Sequence, residues 1–270
     1  MIRKKLYLAA VGLPLLFAGC AGDEDMNAKM VQAAEQAKKG QWEAAGKNAG
    51  AVEKAKPGEV APVLLQALVY EKQGEYDKAL DLARKCAEMA PKDFTVQYTC
   101  GRLTAKDQAR RSEAFSILER ALELKPGDQN TLILLCNIGS EIEHPKVIKY
   151  LNELRKDKDF ANSPVLRYQI GCYHVRAKNS QAQTWLRSAA KAASKSKNWE
   201  LLLNCARTLD RSGAVNQKTG KKEALEWYGK YRALSGNRGA EYKEVNSRIA
   251  QLQKTKSKPA KNSRTKGRRR

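Results

Sequence analysis

A pattern of glycine, aromatic residue, alanine and proline returns after 34 residues, taking Gly40, Trp42, Ala45 and Pro57 to Gly74, Tyr76, Ala79 and Pro91. A third copy keeps Ala114, Leu118, Ala121 and Pro126, one residue longer than the strict period. A fixed period of this length marks a small helical unit that cannot bury its apolar face alone and must stack on its copies. The chain therefore reads as a repeat array rather than a globular enzyme. Gly40 and Gly74 fall where one amphipathic helix stops and an antiparallel one begins, a place where a positive φ is strained for any residue with a Cβ. Trp42 and Tyr76 are expected to wedge into that elbow, and Ala45 and Ala79 to sit where the two helices approach closely. Each proline then forbids continuation of the second helix, so the next unit starts afresh.

In its period and in these positions the chain resembles the tetratricopeptide repeat (TPR) family. The resemblance implies an all-α fold, a right-handed superhelical solenoid of antiparallel helix pairs. About six pairs are expected over residues 26–254, closed by a capping helix over 239–254. Beyond the three marked copies the helical period continues without the closing proline. A fourth pair places Leu132, Leu135 and Ile138 on one stripe, breaks near His144 and Pro145, and resumes with Val147, Ile148, Leu151 and Leu154. A fifth opens at Asn162-Ser163-Pro164, a helix-start signal with proline just inside, and carries Ile170, Gly171, Trp185 and Leu186. The sixth holds Trp199, Leu202 and Ala206, a loop from Gly213 to Gly220, and then Ala224, Leu225, Tyr228 and Tyr231. Tyr242, Val245, Ile249 and Leu252 share one stripe of a last helix, the polar-backed cap that such arrays need.

The two ends have other compositions. Arg3, Lys4 and Lys5 precede an apolar run from Leu6 to Ala18 that is too short to span a bilayer as a permanent helix, which marks residues 1–19 as a signal peptide. Its ending, Leu16-Phe17-Ala18-Gly19-Cys20, resembles the bacterial lipobox, with Phe17 where leucine is commoner. The resemblance implies lipidation of Cys20, and Ala21 after the cysteine favours the outer membrane, facing the periplasm. A tether of residues 20–25 would hold the array close to the lipid. Residues 255–270 form a basic tail, preceded by Lys254, whose composition cannot bury a core and is expected to be disordered. Its cations, with Lys254, are Lys256, Lys258, Lys261, Arg264, Lys266, Arg268, Arg269 and Arg270. The formal charge of the whole chain is +22. Without Arg3, Lys4 and Lys5 it becomes +19, and nine of those charges lie between Lys254 and Arg270. In an envelope protein such a tail would meet anionic lipid or cell-wall polymer, and no nucleic acid is expected as a partner.

No signature of catalysis is present: H-E-x-x-H, G-x-S-x-G and G-x-G-x-x-G are all missing, and Lys218-Thr219-Gly220-Lys221-Lys222 lacks the spacing and the Ser/Thr of a phosphate loop. No enzyme activity, cofactor or metal is expected. There is no C-x-x-C, and His144 and His174 are far apart in sequence. With Cys20 assigned to lipid, five cysteines remain, an odd number. Cys100, Cys136, Cys172 and Cys205 fall in the first helices of consecutive repeats and read as small buried hydrophobes. A Cys86–Cys100 disulfide stays open.

The resemblance implies protein binding on a concave face lined by the first helix of each pair. Placed against the family pattern, Leu64, Leu68, Tyr98, Arg102, Asn130, Ile133, Asn137, Tyr168, Arg176, Asn204 and Arg207 fall on that face, where an envelope protein or peptide would lie. Asparagine and arginine mixed with tyrosine can grip an extended backbone and its carboxylates. The expected role is an outer-membrane TPR lipoprotein acting as a scaffold or adaptor in envelope or pilus assembly. The alternative is an anchor that binds anionic membrane or wall polymers through the tail.

Overall fold

A computed structural model describes residues 24–212, 217–236 and 241–256. The chain divides into two compact units between Lys156 and Asp157. The first contains α1 (Glu24–Lys38), α2 (Trp42–Ala55), α3 (Val60–Gln73), α4 (Tyr76–Met89), α5 (Phe94–Thr104), α6 (Arg111–Leu124), α7 (Gln129–Glu141) and α8 (Val147–Leu154). The second contains α9 (Pro164–Arg176), α10 (Gln181–Lys195), α11 (Trp199–Ser212), α12 (Gln217–Ser235) and α13 (Tyr242–Lys256). Among the described residues there is no strand, and no helix is long and apolar enough to cross a membrane. Within each unit every helix packs on its neighbour in sequence, so the pairs stack in chain order.

The two helices of a pair bury different amounts of surface because they have different neighbours. α3 packs against α1, α2 and α4, and Ala61, Val63, Leu64, Leu65, Ala67 and Val69 are buried nearly all round it. α4 faces solvent on one side and buries only Ala79, Leu80, Ala83 and Cys86, a single stripe. The same contrast separates α5 from α6. Close approach depends on small residues. A Cβ on Gly101 of α5 would lie 2.8 Å from Leu118 Cγ of α6, and one on Gly171 of α9 would lie 2.8 Å from Leu186 Cδ2 of α10.

The repeat punctuation works as its chemistry requires. Gly40 and Gly74 have φ of +77° and +85°, and Ala45 and Ala79 are fully buried. Pro57, Pro91 and Pro126 each follow the residue that caps the second helix, Lys56, Ala90 and Lys125. Two residues after the second and third prolines an aspartate caps the next first helix: Asp93 accepts from the Val96 amide at 2.9 Å, and Asp128 from the Thr131 amide at 3.0 Å. Burial opposes ionisation of Asp128, but the Thr131 amide and hydroxyl and the Lys125 ammonium outweigh it and hold the carboxyl below its usual range. Ser163 caps α9 in the same way, with Pro164 in the first turn.

Some expectations are corrected. Tyr76 does not wedge into the elbow: it is 51% exposed, and the Lys106 ammonium lies 4.1 Å from its ring centroid. Trp42 is half-buried against the core of the first two pairs. Gln217–Gly220, read as loop, is the first turn of α12, since one glycine costs a helix only about 1 kcal/mol. The last helix spans Tyr242–Lys256, with Val245, Ile249 and Leu252 buried on its inner stripe. The five described cysteines are free thiols, so Cys86 and Cys100 are not bonded to each other. Burial pushes the Cys86, Cys136 and Cys205 thiols up to about 12, which makes them packing residues.

Candidate functional site

In the first unit, three residues assigned to a ligand face belong to the core. Leu64 is 2%, Ile133 5% and Tyr98 8% exposed. The first helices are covered on several sides, so a face placed by spacing alone includes positions their neighbours occupy. Leu64 packs with Val63, Cys86 and Val96, and Tyr98 stacks on Phe94 with ring centroids 5.8 Å apart. Leu68 on α3 and Asn130 and Asn137 on α7 remain partly exposed.

Arg102 is also committed. Its Nη1 and Nη2 donate to the two oxygens of Glu71 at 2.5 and 2.7 Å, and Lys106 Nζ lies 2.9 Å from the same carboxylate. Glu71 is buried at the end of α3. Burial alone would raise its pKa, yet the two cations from α5 and the segment after it bring the carboxyl down to about 2. Lys106 also covers the Tyr76 ring, so the network ties α3, α4 and α5 together. Arg102 thus anchors a structural triad, and truncating it would strip a buried acid of its two-pronged partner, leaving only Lys106, as well as alter the surface.

In the second unit, Tyr168 of α9 and Thr208 of α11 share a hydroxyl hydrogen bond of 3.1 Å. Burial pushes the Tyr168 phenol up. Arg176 is half-buried at the end of α9, and Asn204 is exposed on α11. One turn on, Arg207 Nη2 donates to Glu244 of α13 at 2.7 Å. These residues lead to a cleft of about 350 Å³ between α11, α12 and α13, lined by Arg207, Asp210, Arg211, Tyr228, Glu244, Ser247, Arg248 and Gln251. Asp210 is its buried centre. Arg248 donates to it twice, Nε to Oδ2 at 2.6 Å and Nη2 to Oδ1 at 2.8 Å, and Tyr228 adds a hydroxyl at 3.2 Å. Arg248 Nη1 then reaches Gln251 at 3.0 Å. Sequence reasoning found only Arg207 here. Read as a cap, α13 carried no site, and no spacing rule joins Asp210 to Arg248 across 38 residues.

Cys20, Lys258, Lys261, Arg264, Lys266, Arg268, Arg269 and Arg270 lie outside the described residues, while Lys254 and Lys256 belong to the last turns of α13. Among the described residues, no group of three or more His, Cys, Asp or Glu side chains is placed to hold a metal ion.

No protein-family model and no curated protein matches this sequence. Solved structures do match its fold. The C-terminal part of a TPR repeat-containing protein from Cytophaga hutchinsonii aligns with a TM-score of 0.64 at 17% identity, over 84% of this chain and 89% of that one. YrrB, described as a TPR protein with an unusual peptide-binding site, aligns with a TM-score of 0.57 at 16% identity, over 76% of this chain and 97% of that one. MamA from Desulfovibrio magneticus RS-1 aligns with a TM-score of 0.54 at 16% identity, over 63% and 94% respectively. The chain has the fold of TPR proteins, an all-α stack of antiparallel helix pairs.

Proposed function

We propose that this protein is a lipid-anchored TPR adaptor of a bacterial envelope, holding a partner protein or peptide against its first helices from the periplasmic side of the outer membrane. The observation that carries the reading is the stack of helix pairs, in which first helices such as α7 keep half-exposed polar side chains, Asn130 and Asn137, beside a closed apolar core. The solved relative with a peptide-binding site, YrrB, supports a role in peptide capture for this fold. The anchor rests on the charged start, the short apolar run and Ala18-Gly19-Cys20. The reading assigns no catalytic step to the chain.

The test is affinity purification from the native envelope, with the parent compared with Cys20→Ala. The parent should stay in the detergent-extracted membrane fraction and bring down a defined envelope protein, and Cys20→Ala should leave that fraction. Unchanged fractionation together with no acyl mass on Cys20 would remove the anchor from the model. A second reading is favoured by the nine cations between Lys254 and Arg270, which suit an anionic membrane or wall polymer. It predicts that deleting 254–270 abolishes a salt-sensitive attachment. If that deletion removes every envelope interaction, the polymer anchor replaces the adaptor.

A further inference from the structure

We infer that the cleft between α11, α12 and α13 captures an acidic side chain of an extended partner segment, a deepening of the adaptor reading on which it rests. The cleft holds more guanidinium than its own acids consume. Arg248 is fully engaged, with Nε and Nη2 on Asp210 and Nη1 on Gln251. That pairing fixes one wall of the cleft. Arg207 spends Nη2 on Glu244, and its Nε is buried with no hydrogen-bond partner among the described residues. That nitrogen is enclosed by the protein, so the guanidinium meets the cleft through the Nη2 edge that already binds Glu244. Arg211, one turn further along α11, is exposed on the same cleft and makes no ion pair among the described residues.

Glu244 shows what fits. Its carboxylate already meets Arg207 at 2.7 Å, yet the Glu244 side chain is 63% exposed, so it occupies this position from the solvent side and is readily exchanged. Charge favours a carboxylate over a phosphate. Three arginines against Asp210 and Glu244 leave the lining with one net positive charge. A single carboxylate neutralises that excess, whereas a phosphate monoester, with close to two negative charges, overshoots beside two fixed acids. Ser247 and Gln251 supply a hydroxyl and an amide along the same wall, groups suited to a peptide backbone.

Fluorescence anisotropy of the full chain with a dye-labelled, C-terminally amidated oligoglutamate tests this, with oligoglutamine of equal length as control. Arg211→Gln should weaken oligoglutamate binding about tenfold, the effect of one charge-assisted hydrogen bond. Arg269→Gln removes the same charge from the tail and should change binding little. Glu244→Gln should tighten binding severalfold, because it removes the competing carboxylate. Equal small losses for Arg211→Gln and Arg269→Gln, or unchanged binding in Glu244→Gln, would show general attraction to a basic chain and overturn the inference. So would displacement of the peptide by inorganic phosphate beyond that by chloride at equal ionic strength. If the envelope partner is captured normally while the Arg211 dependence is missing, the cleft assignment falls and the adaptor stands. If the Arg211 dependence holds while no partner is captured, the adaptor falls and the cleft stands.

Discussion

Replacing Glu71 with glutamine removes the central charge of the Arg102–Glu71–Lys106 triad while keeping the shape of the side chain. Folding moves the Glu71 pKa from its ordinary 4.5 to about 2, a difference of 4.5 − 2 = 2.5 units. At about 1.4 kcal/mol per unit this corresponds to roughly 3 kcal/mol of stability at neutral pH. Glu71 is buried, so solvent screening takes little from that figure, and breaking a buried pair by removing one partner has the same order of cost. The pH dependence follows from the direction of the shift. Because the folded state holds the proton less tightly than the unfolded chain, the contribution is complete above 4.5 and disappears as pH falls from 4.5 towards 2. Urea unfolding followed by circular dichroism should therefore show Glu71→Gln less stable than the parent by about 2–3 kcal/mol at pH 7, with the gap closing on acidification. Equal midpoints at neutral pH, or a gap that stays constant through the acid range, would refute the claim that this network holds α3 to α5.

Trp42→Ala should destabilise the first pair by a few kcal/mol as truncation of a partly buried aromatic does, whereas Tyr76→Ala should cost no more than about 1 kcal/mol, the worth of its exposed contact with Lys106. Denaturation midpoints of the two variants decide whether the repeat positions are energetically unequal. Lys178 follows α9 with φ of +50°, so Lys178→Gly should raise stability by up to about 1 kcal/mol, read as a higher melting temperature. A lower one would mean that the strain is offset by contacts of the lysine.

The helical stack and its first three pairs were legible because alanine in the tight contact and proline after the cap, with glycine at a positive φ in the first two, answer to local backbone sterics, which repeat with the sequence. Those same sterics explain where legibility fades. After α7, α9 and α10 the left-handed position is held by Glu143, Lys178 and Lys197, so the turn persists without its glycine. The Asp caps two positions after Pro91 and Pro126 answer to the same local sterics and were equally readable in the residues. What the chain alone could not decide was which side chains of a first helix face water. Burial depends on the neighbouring pair, and it moved Leu64, Tyr98 and Ile133 into the core and Tyr76 out of it. It could not pair charges across long separations either, since Glu71 with Arg102 and Asp210 with Arg248 are set by the stacking of helices, 31 and 38 residues apart. Sequence by itself determined the period, the turns and the helix type. Tertiary packing decided which polar groups are spent on the fold, and therefore which, like Arg211, stay open to the cleft.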